Sequence, residues 1–243
     1  MIFKEFNPKK DDCHKIAKLI YSVDQKTFLK VFKSKNNAIS AIENLLLAGK
    51  EDFVPSADVL KDGSIDSKIN SSYSTDSNNN EFYLILNEDS HENSYENDFK
   101  DDYENNREII GIIQIVKGKR TSSLSDILTV FKSLKISDAF KFSFIHLLDY
   151  FVLAETNEDD LYIAEIAIDE DYRGKGLGTK VLLHVIKKAK EKKFKRVVLD
   201  VDLDNKGAIK LYKSLKFRIF NKKTFKFINK KRQMYNMEYV FDY

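Results

Sequence analysis

The sequence predicts an α/β (α+β) fold organised around one strand, loop and helix unit, and three observations carry that reading. The apolar run Leu161 to Ile168 reads as a buried strand and leads into Arg173-Gly174-Lys175-Gly176-Leu177-Gly178. Beyond the glycines, Val181, Leu182, Val185, Ile186 and Ala189 recur at helical spacing. Upstream, Glu81 to Leu86 and Glu108 to Val116 are apolar runs of strand length that read as a hairpin. Glycine lets the backbone approach an oxyanion closely, and the first helical turn aims unpaired N–H groups at it. A strand, a glycine loop and a helix in that order therefore make a phosphate cradle.

Composition bounds the partners. The chain has 243 residues, of which 33% are charged, yet its net charge is only +3. No global charge argument for a nucleic-acid or membrane partner follows. The single cysteine, Cys13, cannot form an intrachain disulfide. The N-terminus lacks the apolar core of a signal peptide, and no run approaches the roughly 18 apolar residues of a membrane span. A soluble protein of the cytoplasm is expected, with the nucleus left open, as a monomer or homodimer.

In chain order, Ile2 to Phe6 alternates like a short edge strand that Pro8 stops. Cys13, Ile16, Leu19, Ile20 and Val23 share a helical face, with Asp11 or Asp12 as cap. Ala38 to Ala48 repeats the pattern, and Gly49 lies where that helix should end. Residues 62–80 are rich in Ser, Asn and Asp and hold too few apolar groups to offset their ordering entropy, so a mobile insertion is expected. Residues 87–107, with eight acids, read as a lengthened hairpin loop, either a lure for basic partners or a tolerated solvated insertion. Leu124 to Leu134 and Ser137 to Leu153 read as helices that cover the core or shape a substrate pocket. Lys195 to Val201 reads as a strand, followed by a short helix with Ala208, Leu211, Tyr212 and Leu215 on one face. Phe217 to Phe220 and Gln233 to Phe241 read as the last strands, joined by residues 222–232. One domain over residues 1–243 is expected, with low-complexity insertions at about 62–80 and 87–107 and a helical insertion at about 120–155.

The glycine run is G-x-G-x-G, which fails both the G-x-G-x-x-G dinucleotide pattern and the P-loop pattern. It does match R-x-x-G-x-G, through Arg173, Gly176 and Gly178. A second motif, N-x-x-A-x-x-L-Y, follows as Asn205, Ala208, Leu211 and Tyr212. With both motifs in order, the stretch from Leu161 to Phe217 resembles the GCN5-related N-acetyltransferase (GNAT) superfamily. The resemblance implies an acyl-CoA N-acyltransferase fold: a mixed, mostly antiparallel sheet with helices on both faces. It also implies acetyl-CoA as cosubstrate, no metal, and an amine acceptor that is either a small molecule or a protein. One departure is Lys216, where the family usually carries glycine; if that position keeps φ > 0, lysine costs on the order of 1 kcal/mol.

The resemblance assigns roles residue by residue. The loop Arg173, Gly174, Lys175, Gly176, Leu177, Gly178 and Thr179 would hold the pyrophosphate through backbone amides. Ile166, Ala167 and Ile168 would serve through their backbone, because the family's strand splays from its neighbour along the pantetheine arm. Asn205 would bond that arm, or cap its helix, or do both. Tyr212 would protonate the departing thiolate, although its spacing also suits a core tyrosine. Glu165 stands out before any resemblance is invoked, as an acid among Ile163, Ala164, Ile166 and Ala167. It is a candidate to collect the amine's proton, against the readings of solvent-facing alternation or a structural ion pair. An amine titrating near about 10.4 is protonated at neutral pH, so a base has work to do.

Other constellations carry less. Asp200, Asp202 and Asp204 open like a calcium loop but lack its sixth-position glycine and twelfth-position glutamate. The four histidines show no metal spacing. Lys187 to Arg196 reads as a solvated helix face, and the six cations of residues 222–232 would favour an acidic acceptor if they bordered the groove. The expected function is transfer of acetyl from acetyl-CoA to a primary amine by direct attack. The alternatives are a coenzyme A-binding sensor or scaffold without catalysis, and an RNA-associated protein using its lysine-rich faces.

Overall fold

The computed structural model describes residues 1–48, 80–87, 107–120, 130–227 and 230–243. The chain runs β1 (Ile2–Glu5), α1 (Cys13–Val23), α2 (Gln25–Phe32), α3 (Lys35–Ala48), β2 (Asn80–Leu86) and β3 (Ile109–Lys117). It continues with α4 (Ile136–Val152), β4 (Asp160–Ile168), α5 (Leu177–Glu191), β5 (Arg196–Asp202), α6 (Lys206–Ser214), β6 (Arg218–Phe227) and β7 (Lys230–Val240). Most of the expected insertions, residues 62–79 and 88–106, lie outside the described residues, as do residues 124–129 of the first insertion helix. Asn80, expected in the first insertion, instead starts β2 opposite Val116.

Among the described residues, one sheet forms in the order β1-β2-β3-β4-β5-β7-β6. Only the β4/β5 pair is parallel, because α5 carries the chain back over one face between them. Helices cover both faces, and the alternation along β2 shows why. Phe82, Leu84 and Leu86 pack with Cys13, Ile16 and Leu19 of α1, whereas Tyr83 and Ile85 join Val181, Leu182 and Val185 of α5 on the other side. The mixed, mostly antiparallel sheet with helices on both faces is therefore present.

The helix starts follow the capping chemistry written in the sequence. Asp12 accepts from the Lys15 amide at 2.9 Å, and Asn205 accepts from the Ala208 amide at 3.1 Å. Lys216 does sit at φ 70°, in the left-handed region.

Two readings need correction. Residues 222–232 are mostly strand, not a joining loop: β6 extends to Phe227 and β7 begins at Lys230. Phe225 gives the reason, since its ring stacks on Phe151 of α4 with centroids 4.4 Å apart and so gives the extended hairpin a surface to pack on. Helix α2 was absent from the sequence reading. Asp24 caps it by accepting from the Thr27 amide at 3.2 Å, and Phe28 and Phe32 bury against Phe142 of α4.

Candidate active site

The sheet opens in its middle. Strands β4 and β5 pair from Asp160 with Arg196 to Ile163 with Leu199 and no further. On its other edge β4 stays with β3, but the register shifts between Ile163 and Glu165, leaving Ala164 as a bulge. A bulge bends its strand and adds twist, which turns β4 away from β5 just where their pairing ends. From Ala164 to Ile168 the β5 side of β4 has no strand partner, so polar backbone groups face the gap. The gap is part of a cleft of about 1190 Å³ that Ile166, Ala167, Ile168 and Asn205 also line.

The glycine loop forms one wall. Gly174 and Gly176 adopt φ 76° and 77°, and a Cβ built on either meets nothing within 4 Å. Conformation rather than crowding therefore demands glycine there. Gly176 is the N-cap of α5, so the amides of the following turn have no helical acceptor. Leu177, Gly178 and Thr179 line the cleft beside it. Such a turn suits a pyrophosphate, as the dipole of a 15-residue helix also favours an anion at this end.

Two loop side chains do something other than face an anion. Arg173 donates from Nε to the Ile168 carbonyl at 2.8 Å, tying the loop to the end of β4. Lys175 lies over the Tyr172 ring at 4.9 Å and does not line the cleft. Asn205 serves as the α6 cap and also borders the cleft, so both of its expected uses fit one position.

Glu165 and Tyr212 line this same cleft. Oε2 of Glu165 is buried without a hydrogen-bond partner, and the charge that acts on the carboxyl is the negative one of Asp149 rather than a cation. Burial, reinforced by the negative charge of Asp149, holds its carboxyl up to about 7. A carboxyl titrating there can accept a proton near neutral pH and release it again. Tyr212 is 7% exposed, and burial pushes its phenol up to about 12, so it carries its proton throughout the physiological range.

The far side of the cleft contains residues that sequence reading missed. Asp149 of α4, Asp24 at the start of α2 and Arg232 of β7 all line it. Arg232 ion-pairs with both acids, at 2.8 Å from Nη2 to Asp149, and so fastens two helices to the sheet edge. Burial also raises the Asp149 carboxyl, against the pull of Arg232. The signal for Asp149 was present, since it is an acid between Leu148 and Tyr150 in an otherwise apolar helix. Among the described residues of the cationic 222–232 run, Arg232 lines the cleft, and its charge is spent on Asp24 and Asp149.

Aspartates of the 200–204 stretch have hydrogen-bond partners within the protein. Asp200 accepts from Tyr162 Oη at 2.7 Å and from the Ala154 amide at 3.0 Å, while Asp202 accepts from the Asp204 amide at 2.7 Å. Among the described residues no group of three or more metal-ligating side chains converges. His14 pairs with Glu43 and His184 stacks on Phe3, while His91 lies outside the described residues. Cys13 is buried with Ile16 and Leu19 of α1 in the cluster that also holds Ala167, and does not itself line the cleft. Among the described residues no helix is long and apolar enough to cross a membrane.

A sheet split beside a glycine-rich helix start is the architecture of the acyl-CoA N-acyltransferase class. The chain belongs to the acetyltransferase (GNAT) family, whose model matches residues 68–217. It is similar to an uncharacterised N-acetyltransferase of Methanocaldococcus jannaschii, with 46% identity over 55 residues, 23% of this chain and 24% of that protein. It is also similar to N-alpha-acetyltransferase 30 of Xenopus laevis, with 39% identity over 66 residues, 27% of this chain and 24% of that protein. The matched stretches thus span about a quarter of the length of these curated relatives. Among solved structures, an N-acetyltransferase from Staphylococcus aureus Mu50 shares the fold with a TM-score of 0.51 at 18% identity, covering 98% of this chain and 100% of that one.

Proposed function

We propose that the protein transfers an acetyl group from acetyl-CoA to a primary amine by direct attack of the amine. The observation that carries this reading is the placement of Glu165 and Tyr212 in one cleft with the glycine loop. When bound, acetyl-CoA supplies an acetyl thioester, and the loop amides of Leu177 to Thr179 hold its pyrophosphate. Ile166 to Ile168 offer unpaired backbone groups to the pantetheine arm, and Asn205 offers its side chain.

The chain's residues then handle protons. Glu165 takes one from the attacking nitrogen as the new C–N bond forms, and Tyr212 gives one to the sulfur as the C–S bond breaks. The net result moves one proton from amine to thiol, and both side chains return to their starting states through solvent. Direct attack fits because Cys13, the chain's single thiol, does not line the cleft and donates its Sγ–H to the Pro8 carbonyl.

Proton affinity favours an α-amine over a lysine. Glu165 at about 7 lies within about one pKa unit of a polypeptide α-amine near 8. A lysine near about 10.4 would have to pass its proton uphill by roughly 5 kcal/mol, against about 1 kcal/mol for the α-amine. The named N-alpha-acetyltransferase relatives support the same acceptor, a polypeptide N-terminus. A mixture of peptides with free N-termini, incubated with acetyl-CoA and read by mass spectrometry, tests the reading; it predicts acetyl on the terminal nitrogen, and acetylation confined to lysine side chains or small amines would overturn it.

A further inference from the structure

Glu165 has a counterpart in the cleft. Oδ1 of Asp149 is also buried without a hydrogen bond, because Arg232 Nη2 stands 2.8 Å away as an ion-pair partner but out of hydrogen-bonding line. Both carboxylates face a space walled by Phe28, Leu45, Phe142 and Ile145. Apolar walls strengthen any charge interaction made between them and penalise any charge left unmatched.

The charge count at this end is uneven. Asp24, Asp149, Glu165 and Asp202 bring four carboxylates, against the guanidinium of Arg232, shared between the first two, and the more distant charges of Arg120 and His146 that act on Asp149. A cation arriving with the acceptor redresses the imbalance. An ammonium group suits the site in kind, since it brings three N–H donors to Glu165 Oε2, which has none, and to Asp149 Oδ1, whose one contact is the Arg232 ion pair. Neither a neutral acceptor nor an acidic one brings that charge.

We propose that Asp149 is a specificity-determining residue that anchors the ammonium group of the acceptor's N-terminus together with Glu165, so that the cleft selects acceptors by their terminal positive charge. The anchor is supplied by α4, the helical insertion between β3 and β4. Arg232 holds the Asp149 side chain in place through the ion pair between Nη2 and Oδ1. The inference rests on the acetyl-transfer reading of the same cleft.

Binding rather than turnover tests it. The full-length protein, saturated with CoA, is titrated calorimetrically with the peptide Leu-Ala-Ser-Gly-Tyr-amide and with its desamino analogue, in which hydrogen replaces the terminal amine. Wild type is expected to bind the amine form at least tenfold more tightly. Asp149→Asn should shrink that preference to less than threefold, and Asp149→Glu should restore most of it, with CoA affinity unchanged in both. A merely structural role would weaken both peptides alike and leave their ratio intact. An undiminished ratio in Asp149→Asn overturns the anchor, and so does a wild type that ignores the amine. Should Asp149→Asn fail to fold, shown by lost CoA binding, the wild-type ratio and its retention in Asp149→Glu decide. Acetylation of the peptide with an intact ratio in Asp149→Asn would remove the anchor and leave the activity standing; a lost ratio without acetylation would do the reverse.

Discussion

Replacing Glu165 with glutamine should change the pH dependence of stability in a direction the structure dictates. The carboxyl titrates at about 7 in the fold against 4.5 when exposed, mainly because it is buried and secondarily because Asp149 repels its charge. Below 4.5 it is protonated in both the folded and unfolded chain and has no effect on their balance. As pH rises from 4.5 to 7 the unfolded chain releases its proton first, and stability is lost progressively. Above 7 the loss is complete, and the difference between the two values corresponds to about 3 kcal/mol. Glutamine keeps the shape and removes the titration. Urea denaturation of both proteins at pH 4.5 and pH 8 isolates the effect, since any cost of the amide itself is common to the two conditions. Relative to wild type, Glu165→Gln should gain about 3 kcal/mol between pH 4.5 and pH 8. In the same variant the limb of log(kcat/KM) centred near pH 7 should vanish. A stability difference that is the same at both pH values would refute the buried, partnerless carboxylate.

Other outcomes follow from the same site. Tyr212→Phe should lower kcat by about 10²- to 10⁴-fold, the range for losing a positioned general acid, while the Kd for acetyl-CoA measured by calorimetry stays within about threefold. Lys216→Gly should stabilise the fold by about 1 kcal/mol in urea denaturation, by relieving a left-handed residue, without altering turnover. Asp149→Asn should erase the preference for a free terminal amine, as described above.

The cofactor side of the cleft was legible in the sequence because it is local. The residues from Arg173 to Gly178 follow β4 directly and create the cradle by their own φ values, and Asn205 caps the helix that it precedes. Glu165 was legible for a related reason: an acid in an apolar strand needs an explanation wherever the strand ends up. The acceptor side was not legible, because it is assembled from distant parts. Arg232 meets Asp24 and Asp149 across more than 80 residues of chain in one case and more than 200 in the other. Nothing in the local pattern of residues 222–232 distinguishes an arginine consumed by two acids from lysines left in solvent. Helix α2 escaped notice for a different reason. Its eight residues offer about two turns of periodicity, too short for the pattern to register, and its burial depends on the aromatic face of α4.

The splaying of β4 from β5 lay between these cases. The sequence carries no mark at Ala164 that declares a bulge, and the expectation came from family resemblance. The register shows the two features side by side: β4/β5 pairing stops at Ile163 with Leu199, next to the Ala164 bulge at which β4 bends. That irregularity places Glu165 beside the gap rather than under α1 or α5.

Release of coenzyme A thiol from acetyl-CoA, followed together with mass analysis of a peptide acceptor, tests the central claim most directly. Acetyl transfer predicts one thiol released for each acetyl group gained, with the new group on the terminal nitrogen. Tight binding of acetyl-CoA with no thiol released in the presence of peptides, polyamines, amino sugars or amino acids would contradict it and make the cleft a sensor of the coenzyme.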